Sequence, residues 1–91
     1  MNVSNAYPNP ASLAYGTVRV DLLTSCPVDT VWTVYTTSYT AIYSEALPVN
    51  GAKTVVWNMQ DKTGKKVAPG AYYLKVDPGS NARVQAVAVV P

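Results

Sequence analysis

The chain has 91 residues, 48% of them hydrophobic and only 13% charged, with a net charge of +2. That balance is too apolar and too weakly charged for a disordered tail, and the length suffices for one small core. The 7 basic residues are scattered rather than gathered on one face, which argues against a nucleic-acid binder.

No apolar run approaches the roughly 20 residues of a membrane span. The start of the chain lacks the charged-then-apolar pattern of a signal peptide, which leaves a mature fragment, an excised domain or a cytosolic protein. Phe is absent and Tyr occurs 7 times, so the aromatic mass is amphipathic. Cys26 is the only cysteine, so no internal disulfide forms; beside Pro27 it reads as a small, partly buried residue, with a reactive or intermolecular thiol as the alternative.

Short apolar segments separated by turn signals recur along the chain, the spacing of a sandwich or barrel. Tyr7-Pro8-Asn9-Pro10 reads as a rigid extended lead-in, because each proline fixes its φ and biases its predecessor toward β. Thr17 to Leu23 is predicted as a strand, with Val18, Val20 and Leu22 facing one way and Arg19 and Asp21 the other. After a turn at Ser25-Cys26-Pro27, Val31 to Tyr35 forms a third strand containing Trp32, a candidate core tryptophan. The chain then turns near Thr37-Ser38 and returns through Ala41-Ile42-Tyr43 to Leu47. Pro48-Val49-Asn50-Gly51 breaks that strand, and Lys53 to Asn58 makes the next, with Trp57 near its end.

Two turns follow. Asp61-Lys62-Thr63-Gly64 places Asp and Gly where the first and last positions of a type I turn favour them. Ala68-Pro69-Gly70-Ala71 suits a type II turn, with Gly70 taking φ > 0. In the strand Ala71 to Asp77, residues Tyr72, Leu74 and Val76 alternate inward. Pro78-Gly79-Ser80-Asn81 turns the chain again, and Arg83 to Val90 closes it with Val84, Ala86, Ala88 and Val90 on one face. The reading is a single all-β domain over residues 1–91, a seven-stranded antiparallel sandwich of immunoglobulin-like or fibronectin-III-like type.

Catalysis is not expected. There is no histidine, which removes the commonest general base and metal ligand. The 5 acids, Asp21, Asp29, Glu45, Asp61 and Asp77, are spread over different strands and turns. One carboxylate and two amides in the Asn58 to Asp61 turn fall short of a calcium site, so no metal and no cofactor is expected. Lys62, Lys65 and Lys66 read as solvated turn lysines. The four-residue spacing of Tyr35, Tyr39 and Tyr43 places them on one face if all three lie on strands. Three readings of them stand open: core or edge cover, a protein interface, and a platform that stacks on sugar rings.

Trp57-Asn58, Asp61, Gly64, Val67, Gly70 and Tyr72 fit the pattern W-[DN]-x-x-D-x-x-G-x-x-V-x-x-G-x-Y. This resembles the immunoglobulin-like domain of the flagellar hook-capping (FlgD-like) family, found at the C-termini of many secreted and surface bacterial proteins. Tyr7-Pro8-Asn9-Pro10 matches the tetrapeptide with which such modules begin. The resemblance implies structural roles for Trp57, Asp61, Gly64, Gly70 and Tyr72. Tyr72 reads either as the strand-F tyrosine of an immunoglobulin-like sandwich, whose hydroxyl bonds back to the upstream backbone, or as a plain core or boundary tyrosine. The resemblance also implies an extracellular, cell-surface or periplasmic location and a structural or assembly role, through contact with the parent polypeptide or neighbouring subunits. Carbohydrate binding and C-terminal sorting are the alternatives. The family's Tyr-Asp-x-x-Gly-Arg hairpin is missing, Met59 stands where relatives have glycine, and the trailing lysines of type IX secretion modules are absent, which weakens sorting.

Overall fold

Val18, Val20 and Leu22 are buried while Arg19, Asp21 and Leu23 are exposed, the period-two pattern of a strand covered on one side. The computed structural model describes all residues from Met1 to Pro91 and contains strands and no helix. The strands are β1 (Asn2–Val3), β2 (Ala11–Ser12), β3 (Val18–Tyr35), β4 (Ala41–Trp57), β5 (Gly70–Asp77) and β6 (Arg83–Val90). All belong to one sheet in the order β1-β3-β5-β6-β2, with β4 paired to β3. Every pairing is antiparallel except that of β2 with β6.

Six strands therefore replace the expected seven. The predicted strands Thr17–Leu23 and Val31–Tyr35 are one strand, β3, and the two flanking Pro48–Gly51 are likewise one strand, β4. The two proline-bearing segments expected to be turns lie opposite each other instead. Between the pairs Thr24↔Gly51 and Val28↔Val49, the residues Ser25, Cys26 and Pro27 face Asn50 alone. Such a bulge absorbs Pro27, and Pro48 is tolerated because β4 pairs with no strand but β3. Cys26 is exposed rather than partly buried, because the bulge lifts it off the sheet.

The bulge also bends the sheet. At about 3.3 Å per residue, a straight 18-residue strand would span roughly 59 Å, yet the longest dimension of the molecule is 38 Å. The long β3–β4 pair thus folds back, and inward residues from both of its halves join one core. Val18, Val20, Leu22, Val55 and Trp57 meet Trp32, Val34, Leu74, Val76, Val87 and Val89 there. Thr30 Oγ1 and Trp32 Nε1 are the two buried polar side-chain atoms without a hydrogen-bond partner. On β6 the buried residues are Val87 and Val89, so the face carrying Val84, Ala86, Ala88 and Val90 is the solvent side.

The N-terminal segment is not an extended lead-in. Residues 8–10 are bends, and the Tyr7–Pro8 and Asn9–Pro10 peptides are both cis. The segment crosses from β3, where Tyr7 and Arg19 exchange backbone bonds of 2.9 and 2.8 Å, to β6. Two side-chain amides complete that crossing by acting as peptide units. Asn9 donates to Ala86 O at 3.0 Å and accepts from Ala88 N at 3.0 Å. Gln85 donates to Ser4 O at 3.0 Å and accepts from Ala6 N at 2.6 Å.

Trp57 is 1% exposed, and its Nε1 donates to Gln60 O at 3.0 Å. Trp57→Ala is expected to cost about 3–5 kcal/mol in urea denaturation, from the cavity and the lost indole bond. A cost below about 1 kcal/mol would contradict its place in the core.

Candidate interaction site

Folding back brings both ends of the β3–β4 pair to the same end of the molecule. The backbone makes the junction, where Lys62 N, just beyond β4, donates to Ile42 O, near its start, at 2.8 Å. A groove there is lined by Thr36, Ile42, Asp61, Lys65, Val67 and Tyr72, among others. The turn at Ala14 to Gly16 reaches the same end, since a Cβ on Gly16 would stand 3.8 Å from Lys66 Nζ.

Asp61 builds the first loop. Gly64 N donates to Asp61 O at 2.9 Å, closing the predicted turn, and Gly64 takes a left-handed φ of 85°. The Asp61 Oδ1 atom accepts from Thr63 Oγ1 at 2.6 Å, Thr63 N at 2.9 Å and Lys65 N at 3.2 Å. These bonds, the Thr63 hydroxyl foremost, hold the carboxyl below its ordinary pKa. The second predicted turn is different: no backbone bond closes Ala68–Ala71, and Gly70 opens β5 at φ 155°. Tyr72 donates its hydroxyl to Ala68 O at 2.6 Å, and its ring meets Trp57 edge-on at 5.6 Å. Burial raises the Tyr72 pKa.

The tyrosines expected on one face are separated. Between Val34↔Tyr43 and Tyr35↔Ala41 the register slips by one residue, so Ile42 is an extra residue. A single insertion reverses the alternation and turns Tyr43 inward. Its ring packs 5.1 Å from Trp32, and its hydroxyl donates to Glu45 Oε2 at 3.1 Å. Burial first and the Glu45 bond second raise its pKa.

Tyr35 and Tyr39 stay outside, where a third ring joins them. Tyr39 stacks on Tyr73 with centroids 5.2 Å apart and planes 7° from parallel, and Tyr35 lies 6.4 Å from Tyr39, tilted by 59°. Tyr73 follows from the pairing Tyr35↔Tyr73, a cross-strand register that spacing along the chain does not reveal. Tyr39 is 68% exposed, and its φ of 61° is left-handed, an uncommon state for a bulky residue. The turn around it is firmly made. Tyr39 N donates to Thr36 O at 2.9 Å, Thr36 N to Thr40 O at 2.9 Å, and Thr40 N to Thr36 Oγ1 at 3.2 Å. Lys62 and Lys65 beside this turn form no ion pair, since the chain's one salt bridge joins Lys75 to Asp77 at 3.8 Å. No three side chains among His, Cys, Asp and Glu converge as a metal site would require.

No family model and no curated protein matches the chain. Solved structures do match in fold. One is PorZ, described as an essential bacterial surface component of the type IX secretion system of Porphyromonas gingivalis, with a TM-score of 0.74 and 22% identity. Another is dimeric latent PorU from the same organism, with a TM-score of 0.74 and 16% identity. The matches cover 96% and 97% of this chain but only 11% and 9% of those two chains. The likeness is one of fold, to a small part of each larger protein.

Because the Asp61 pKa is lowered in the folded state, its contribution is present above the ordinary carboxylate range and lost as pH falls through the folded value. Asp61→Asn is therefore expected to destabilise the protein near neutral pH. The gap from wild type should close in acid, as read from melting curves over a pH series. Tyr39→Gly relieves a left-handed residue, worth about 1–2 kcal/mol, and loses a ring stack worth about 0.5–1.5 kcal/mol. Its unfolding free energy should stay within about 1 kcal/mol of wild type, whereas a larger loss would make the ring a structural element.

Proposed function

We propose that this chain is a non-catalytic immunoglobulin-like β-sandwich module of FlgD-like type, carried by a bacterial extracellular or cell-surface protein and acting through protein–protein contacts. The observation that carries this reading is the exposed Tyr39, held at φ 61° over Tyr73 at the loop end. Backbone strain of that kind concentrates at functional positions, and tyrosine is enriched at protein interfaces.

Two further facts support it. The folded-back sheet with a shared core is the form a sandwich takes when strands bend at bulges from one layer into the next. The fold likeness to a segment of a type IX secretion surface component favours a secreted or surface setting. The partner is then the parent polypeptide or a neighbouring subunit. A sugar platform is less favoured, because Tyr39 and Tyr73 cover each other's faces and Tyr35 is tilted, leaving no coplanar row of rings.

The test is site-specific photo-crosslinking in the parent protein on intact cells. A photoreactive residue at Tyr39 should capture a protein surface, either a neighbouring domain or another chain. The same residue at Thr54, which is exposed on β4, should capture none. No capture at Tyr39, or equal capture at both positions, would overturn the proposal.

A further inference from the structure

We infer that the loop end of this module binds an acidic stretch of its protein partner, a conclusion that rests on the protein-contact reading above and names the partner's chemistry. Asp61 to Lys66 holds three lysines and one aspartate, while the rest of the chain holds four basic and four acidic residues. The whole net charge of +2 therefore resides in this one loop. Two of the remaining basic groups are already engaged elsewhere. Lys75 is taken by Asp77, and Arg83 is turned to the N-terminal segment, where it donates to Val3 O and to Asn5 Oδ1.

Within the loop the aspartate is occupied, its Oδ1 accepting three hydrogen bonds from the turn. Lys66 donates to Asn58 O at 3.0 Å, which leaves the ammonium groups of Lys62 and Lys65 for an outside anion. Lys65 lines one groove with Thr36, whose carbonyl closes the Tyr39 turn, and the Lys62 backbone is bonded to Ile42 just beyond that turn. Tyr15, 85% exposed, lies on the turn beside Lys66. Exposed tyrosines around two free lysines suit a polypeptide that brings carboxylates to the lysines and apolar or peptide surface to the rings. A nucleic acid is less well matched, because the loop has no arginine fork for phosphate.

The test is an amide NMR titration of the whole chain with a short poly-glutamate peptide, run beside polygalacturonate and an oligothymidylate. Shifts confined to residues 14–16, 36–40, 61–66 and 73 are expected with the peptide. Raising NaCl from about 50 to about 300 mM should weaken that binding by about tenfold. Lys62→Gln with Lys65→Gln should remove it, and Tyr39→Gly should weaken it while leaving the remaining spectrum folded. Absence of peptide-induced shifts, shifts at the opposite end, or equal shifts with either control polyanion would overturn the inference. If Tyr39 still crosslinks to protein while poly-glutamate fails to bind, the acidic-partner inference falls and the contact role stands.

Discussion

The antiparallel pairing of β3 with β4 is the interaction on which the rest of the molecule depends. It runs from Val18↔Trp57 to Tyr35↔Ala41 and is interrupted once in its middle, where three residues face Asn50. At that point the ladder bends, and each half brings its inward residues to a common core. Trp57, on the half paired with Val18, then packs near Tyr72 of β5, although β5 pairs only with the other half of β3. The same bend carries the start and the end of β4 to one end of the molecule. Without it, the Lys62–Ile42 bond and the groove beside it would not exist.

The edges of this folded sheet are closed by different means. On one side the N-terminal segment is too bent to form a long ladder, so Asn9 and Gln85 supply amide groups in place of backbone ones. This gives the Asn of Tyr7-Pro8-Asn9-Pro10 a physical role, as a side chain imitating a strand neighbour of Ala86 and Ala88. On the other side β4 has no second neighbour. Its middle carries Pro48, and Glu45 and Lys53 are exposed along it, features that discourage pairing with another chain. With both edges managed in this way, the proposed protein contact is placed at the loop end, which holds the unpaired lysines and the outer tyrosines.

That end joins two features of different origin. The Asp61 turn is closed locally, by carboxylate, hydroxyl and glycine, with the Lys62–Ile42 bond tying it to the start of β4. The tyrosine cluster is not local, since Tyr73 comes from β5 and Tyr39 from the turn after β3. Its geometry needs Tyr39 in a left-handed conformation that glycine would adopt with less strain. The ring is thus displayed at some cost in backbone energy, beside the loop that holds the chain's excess charge.

Period-two alternation in Val18 to Leu22 and in Tyr72 to Val76 was legible because one-sided burial writes itself directly into the order of apolar residues. The Asp61–Gly64 turn was legible for a similar reason, because the bonds that close it and occupy the Asp61 carboxylate lie within a few residues. The strand count was not, because a proline-bearing segment looks the same whether it turns the chain or sits in a bulge. What distinguishes the two is the partner strand opposite, here Asn50 facing Ser25 to Pro27. The tyrosine face escaped for the same cause. A single extra residue at Ile42 reversed the alternation for Tyr43, and only the cross-strand register brought Tyr73 beside Tyr39. The sequence by itself determined the all-β character, the two core tryptophans and the Asp61 turn, which rest on local chemistry and burial. Tertiary structure alone decided where the sheet folds and which rings meet, because both depend on register between distant strands.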